Sequence, residues 1–166
     1  MIFVTVGTTL PFDELIQELD RLVAAGEIEE EVFAQIGAGT YTPSHFKWCK
    51  FVPDLTPYYD AADLVICHGG VGTVFDLMLR AKPFVAVPNK IGQDNHQTDL
   101  LRALDARGWC RVCYDVTDLG QVMRQEDSRA AYQSRPVLPS RIWGDLLADC
   151  ASGGPAPPAA PGGAEA

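Results

Sequence analysis

Apolar residues fall along this chain in two textures: short unbroken runs, and longer stretches where they recur every three or four positions. Residues 2–6, Ile-Phe-Val-Thr-Val, form the first run and end at Gly7. Such a run belongs to a strand covered on both faces. Leu15, Ile16, Leu19, Leu22 and Val23 then share one helical face, which predicts an amphipathic helix over 12–25, stopped by Gly26. A second strand is predicted over 31–36, closed by Gly37 and Gly39, and a third over 45–52. Pro53-Asp54 opens a short helix over 54–61. The fourth strand, 64–67, runs into the glycines at 69–72, and a helix follows over about 73–81. Residues 84–87 make a fifth strand stopped by Pro88, and a polar loop at 89–94 leads to a helix over 95–107. A sixth strand over 110–114 and a last helix over 117–130 complete the pattern.

Short apolar strands alternating with helices give a parallel sheet covered on both faces. The expected fold class is therefore α/β, a doubly wound, Rossmann-like parallel sheet. Residues 1–150 form one domain in this reading. The end of the chain, 151–166, is small, Pro-rich and nearly uncharged, and reads as a disordered tail.

Composition narrows the function. Apolar residues make up 47% and charged residues 21% of the 166, as in a soluble globular protein. The net charge of −9 argues against broad nucleic-acid binding, which needs clustered Lys and Arg. No stretch approaches the roughly 20 apolar residues of a membrane span. The first residues lack the basic start and long apolar core of a signal peptide. The five cysteines then read as reduced thiols in a cytoplasmic protein. Cys110 and Cys113 form a C-x-x-C, but on a strand, where period-2 alternation sends the two sulfurs to opposite faces. A redox pair needs its first sulfur at a helix N-terminus.

In an open parallel sheet, ligands bind at the carboxyl ends of the strands. Three polar or glycine-rich loops fall there: Gly7-Thr8-Thr9, His68 to Thr73, and Asn89 to Gln97. The glycines of the middle loop let backbone N–H groups approach a ligand, and the following helix start adds partial positive charge. Both favour a phosphate. The third glycine of a dinucleotide fingerprint and the lysine of a P-loop are both missing. His68, directly before the turn, can bring an imidazole N–H to a phosphate oxygen. Asp76, a turn into the helix, either complements the helix start or accepts bonds from ribose hydroxyls. The amide-rich third loop suits a sugar's hydroxyls, while Asp94 or Asn95 also suits a helix N-cap.

The stretch AADLVICHGGVGTVFDLMLRAKPFVAVP, followed by DNHQ, resembles the C-terminal, donor-binding half of GT-B glycosyltransferases of family 28. The opening IFVTVGTTLPFDELI resembles its stand-alone subunits. These serve the split dolichol-diphosphate N-acetylglucosaminyltransferase and bacterial exopolysaccharide and capsule synthesis. The likeness covers about residues 1–115. It implies that Gly7 and Thr8 lie at the domain cleft near diphosphate or acceptor. Phe51 and Val52 match a segment whose backbone meets the uracil, and His68, Gly70, Gly72 and Thr73 match the phosphate turn. Asp76 matches the acidic residue on the ribose, where the family more often has the longer Glu. Asp94, His96 and Gln97 match the segment that holds the donor sugar.

The resemblance implies a UDP-sugar-dependent hexosyltransferase acting on a polyprenyl-diphosphate-linked saccharide. His68 and the helix start would stabilise the departing diphosphate. No D-x-D pair occurs in the chain, so no metal and no cofactor is expected. The general base resides in the other domain of two-domain relatives. A membrane-anchored partner subunit carrying the acceptor domain is therefore expected, with this chain recruited to the inner face of the cell membrane. His45 and His96 are spare candidates for the base. The alternatives are a non-catalytic nucleotide-sugar sensor, and another nucleotide-dependent α/β enzyme such as an oxidoreductase.

Overall fold

The computed structural model describes residues 1–91 and 95–125, and for 95–97 the backbone alone. Six strands form one parallel sheet: β1 (Ile2–Thr5), β2 (Val32–Gln35), β3 (Lys47–Cys49), β4 (Leu64–Cys67), β5 (Phe84–Ala86) and β6 (Arg111–Val112). Their spatial order is β3-β2-β1-β4-β5-β6, and every adjacent pair is parallel. The chain moves outward from β1 through β2 to β3, then returns to place β4 on the other side of β1. The gap above β1 and β4 is thus the topological switch point, where connections leave in opposite directions and open a crevice.

Alternation along the strands builds two cores. Ile2, Val4, Ala34, Ile66 and Val85 face one way and meet Leu15, Ile16, Leu19 and Leu22 of α1 (Asp13–Ala24). A 3-10 turn at Val116–Asp118 and α5 (Leu119–Arg124) close the same side through Val116 and Leu119. Phe3, Val65, Phe84 and Ala86 face the other way. They meet Tyr59 of α2 (Thr56–Ala61), Val74 and Leu77 of α3 (Val71–Leu79), and Leu100, Leu101 and Leu104 of α4 (Asn95–Ala106). The doubly wound sheet with helices on both faces is the expected one. Cys110 lies in the second core and Cys113 in the first, so the C-x-x-C straddles the sheet. Burial, with the Asp118 and Asp115 carboxylates, pushes the Cys113 thiol up to about 12, opposite to a redox thiol.

Boundaries shift where side chains capture backbone donors. β3 is shorter than the expected 45–52, because the Ser44 and His45 amides donate to the Asp20 carboxylate at 3.0 and 2.8 Å. α2 begins at Thr56, whose N–H donates to Asp54 Oδ1 at 2.9 Å, leaving Asp54 outside the helix. α3 starts at Val71, two residues before the expected 73, because the Val74 amide already bonds the Gly70 carbonyl at 2.9 Å. The helix expected over 117–130 is a 3-10 turn, with Asp115 accepting from the Thr117 amide, followed by α5. Residues 126–166, including the expected tail, lie outside the described residues.

Two carboxylates of α1 tie down the loop between β2 and β3. Asp13 accepts from the amides of Thr40 and Tyr41 and from the Thr40 hydroxyl. Asp20, 4% exposed, accepts from the Tyr41 hydroxyl at 2.7 Å, from the Ser44 and His45 amides, and faces His45 Nδ1 at 3.2 Å. Burial opposes ionisation of Asp20, but these donors outweigh it and hold the carboxyl below its ordinary 3.8. Asp20→Asn turns an amide NH2 toward several donors, and should cost about 2–3 kcal/mol of unfolding free energy at neutral pH. A depressed carboxyl pKa contributes stability above 3.8 and loses it as pH falls toward the folded value. The gap between the two proteins should therefore narrow below about pH 4 in denaturant titrations; a pH-independent gap would remove the ionised-tether account.

Candidate functional site

The first and second of the three sequence loops meet at Gly7. This residue follows β1 with φ +77°, a conformation that L side chains rarely adopt. A Cβ there would lie 3.0 Å from Cε1 and 3.1 Å from Nε2 of His68. On the far side, a Cβ on Gly37 would strike the Gly7 carbonyl oxygen. Gly70 closes the arrangement: its Cβ would collide with His68 Nε2 and lie 2.9 Å from Cε1. The imidazole thus lies between two glycines of two different loops. The start of the third loop is tied to the segment before α1: the Asn89 amide donates to the Pro11 carbonyl at 3.0 Å and its Oδ1 accepts from the Ile91 amide.

Burial lowers the His68 pKa below its ordinary 6.5, and the Thr5 carbonyl opposes this to a smaller extent. The ring is therefore neutral at pH 7, with one N–H to donate. Its Nδ1 is buried and finds no partner of good geometry. Gly70 is the N-cap of α3 and offers no side-chain cap. The amides of Val71, Gly72 and Thr73 precede the first intrahelical bond, so they remain free to bind an acceptor at that end of the helix. A Cβ on Gly72 would meet nothing within 4 Å, so open space lies beside that amide.

Beside this turn is a cleft of about 410 Å³. Gly7, Thr8, Phe51, Val52, Thr73 and Asp76, each expected at a ligand from the sequence, line it together. Phe51 is 62% exposed, unusual for its ring, while Val52 is buried. Asp76 is held by Arg80, one turn on, whose Nε donates to Oδ1 at 2.8 Å. The same guanidinium donates to the Thr56 hydroxyl at 3.1 Å and reaches Asp60 at 3.5 Å. Among the described residues, no Lys or Arg lines the cleft.

Six lining residues escape the sequence reading: Pro53, Asp54, Leu55 and Thr56 on the wall beyond Val52, and the buried Thr5 and Gln35. Thr5 and Gln35 end β1 and β2 and pair in register. Each was hidden as one polar letter in an apolar run. Arg80, which holds Asp76, is a further omission, although its i,i+4 spacing was visible. Asp94 lies outside the described residues, as do the side chains of His96 and Gln97 in the first turn of α4. His45 does not line the cleft; its amide and ring face Asp20. Among the described residues, no three His, Cys, Asp or Glu side chains are grouped so as to hold a metal ion.

The clamp on His68 is testable. Gly70→Ala should displace the ring, lower unfolding free energy by about 1–3 kcal/mol, and move the imidazole titration seen by NMR up toward 6.5. Unchanged stability with an unchanged titration would refute the clamp.

Residues 1–135 match the model of the glycosyltransferase family 28 C-terminal domain. The chain is 33% identical over 159 residues to the human UDP-N-acetylglucosamine transferase subunit ALG13, covering 87% of this chain and 14% of that protein. It is 34% identical over 92 residues to a peptidoglycan-type transferase of Solibacter usitatus, UDP-N-acetylglucosamine--N-acetylmuramyl-(pentapeptide) pyrophosphoryl-undecaprenol N-acetylglucosamine transferase. That match covers 55% of this chain and 24% of that protein. The chain thus spans well under half the length of either relative. Among solved structures, the NMR structure of ALG13 is similar with a TM-score of 0.58 at 20% identity, covering 88% of this chain and 94% of that one. MurG of Acinetobacter baumannii has a TM-score of 0.55 at 23% identity, covering 90% and 52%. These two likenesses speak to the fold. The sequence match over most of its length settles descent: the chain belongs to glycosyltransferase family 28, as its C-terminal domain.

Proposed function

We propose that this domain binds a UDP-sugar in the cleft above β1 and transfers the hexosyl group to a polyprenyl-diphosphate-linked saccharide, in exopolysaccharide or capsule synthesis. The observation that carries the reading is the joining of an uncapped helix start, a neutral imidazole and a cleft lined by Phe51, Val52, Thr73 and Asp76. The amides of Val71, Gly72 and Thr73 receive the diphosphate. His68 donates its N–H as negative charge grows on the leaving oxygen, without first being protonated. The backbone beside Phe51 and Val52 meets the uracil, and Asp76 accepts from ribose hydroxyls while Arg80 fixes its carboxylate. Thr8 and Gly7 edge the side where the acceptor enters. Asp94, His96 and Gln97 hold the donor sugar. No metal and no cofactor takes part.

The acceptor hydroxyl still needs a base. In this reading a membrane-anchored partner subunit brings the acceptor domain and the base, and recruits the chain to the cytoplasmic face of the membrane. Among the described residues, no helix is long and apolar enough to cross a membrane. Both relatives named above are N-acetylglucosamine transferases, so UDP-N-acetylglucosamine is the first donor to offer.

The decisive assay co-expresses the chain with the product of the adjacent gene, and supplies membranes, lipid-linked acceptor and labelled UDP-sugars. Transfer by the pair is expected; UDP binding without transfer from any donor would mark a sensor instead. His68→Ala and Asp76→Ala should each weaken UDP by about tenfold, the loss of one good hydrogen bond to a charged or buried group. Gly72→Ala separates function from stability. It should hold or raise the thermal midpoint, because alanine favours the helix and meets open space, yet weaken UDP by crowding the amide. Unchanged affinity in all three variants would remove the assignment.

A further inference from the structure

Four polar or charged residues are buried among the described residues: Thr5, Asp20, Gln35 and Asn89. Asp20 and Asn89 have clear structural work, since their side chains hold loops through the bonds given above. Thr5 and Gln35 do not. Thr5 is 1% and Gln35 2% exposed, and Thr5 Oγ1 and Gln35 Oε1 lack any hydrogen-bond partner. On the same strand face, Phe3 and Phe33 belong to the apolar second core. An aliphatic side chain at either position would therefore avoid an unsatisfied buried oxygen. With His68 Nδ1, these are the three unpartnered buried side-chain atoms of the described residues. All three belong to the carboxyl ends of neighbouring strands β2, β1 and β4. Polar groups kept at a cost to folding, gathered at one edge, mark a place that a ligand completes.

Position decides which part of a ligand they meet. The helix start that suits phosphates follows β4, on one side of β1. Gln35 ends β2, on the other side, and pairs in register with Cys49 of β3. The chain then leads from β3 to Phe51 and Val52 on the cleft wall. Gln35 thus lines the cleft from β2, two strands from the β4 end that leads into α3. Resting on the nucleotide-sugar reading of this cleft, we propose that Gln35, assisted by Thr5, contacts the nucleobase of the donor and helps set base preference. A primary amide offers one acceptor and two donors in a plane, a match for the alternating carbonyl and N–H groups of a pyrimidine edge. Because both oxygens are closed to solvent, the Gln35 side chain turns toward the cleft when it makes this contact.

The test compares UMP with ribose 5-phosphate, which is the same molecule without its base, by NMR titration of the full chain. Gln35→Leu should lower UMP affinity by about tenfold, as for one lost bond to a complementary edge, and leave ribose 5-phosphate within about twofold. Thr5→Val should move in the same direction by less. The thermal midpoint without nucleotide should stay the same or rise by a few degrees in both, since an unpartnered polar atom is removed. A residue that only packs would lower the midpoint and leave the ratio of the two affinities unchanged, which would overturn the assignment. So would an equal loss of both ligands, which places Gln35 at the ribose or phosphate. Asp76→Ala and Gly72→Ala serve as controls that weaken both ligands together. Failure of the wild-type chain to bind either ligand would instead sink the nucleotide reading, and this assignment with it.

Discussion

Everything at the carboxyl edge of this sheet is arranged around the missing side chain at residue 7. Gly7 takes a left-handed turn directly after the central strand, with Gly37 against its carbonyl and the His68 ring against its α-carbon. Three chain segments, following β1, β2 and β4, therefore approach one point without a methyl group between them. An alanine at 7 would meet both conformational strain and the imidazole. The turn into α3, the buried His68 ring and the Gly7 edge of the cleft all meet at that approach.

The rest of the domain serves to hold this point still. Two apolar cores, one on each face of the sheet, fix β1 between β2 and β4. Asp13 and Asp20 then fasten the long connection from β2 to β3 onto α1, so the wall that leads to Phe51 is ordered before any ligand arrives. Ordering done at folding is not charged again at binding. The opposite choice appears at Thr5, Gln35 and His68, where buried polar atoms are left unmatched. Stability is concentrated away from the site and relaxed within it, as expected where local rules are broken for function.

The fold was legible because parallel strands announce themselves. Runs such as Leu64-Val65-Ile66-Cys67 have no polar alternation, and the helices between them carry one clear apolar face. The glycine turn was legible because Gly69, Gly70 and Gly72 follow an apolar strand directly, and the structure sets the His68 ring against Gly7 and Gly70. Element ends were less so, because they depend on side chains from elsewhere in the chain. Asp20 is 25 residues from His45, and nothing local around either residue foretells that it delays the start of β3. Gln35 and Thr5 were missed for a related reason. A single polar residue in an apolar strand gains meaning only when the register sets it beside a cleft and leaves its oxygen unpartnered.

Among the described residues no Lys or Arg lines the cleft, and this bears on how the proposed site responds to its medium. In the proposed function, a chain of net charge −9 repels the donor's diphosphate at long range, so electrostatic steering does not speed the encounter. On that reading a seated anion is held by neutral amide and imidazole donors at contact distance, where mobile ions screen little. Raising ionic strength should then quicken arrival and scarcely loosen the grip, the reverse of a site built from cationic side chains.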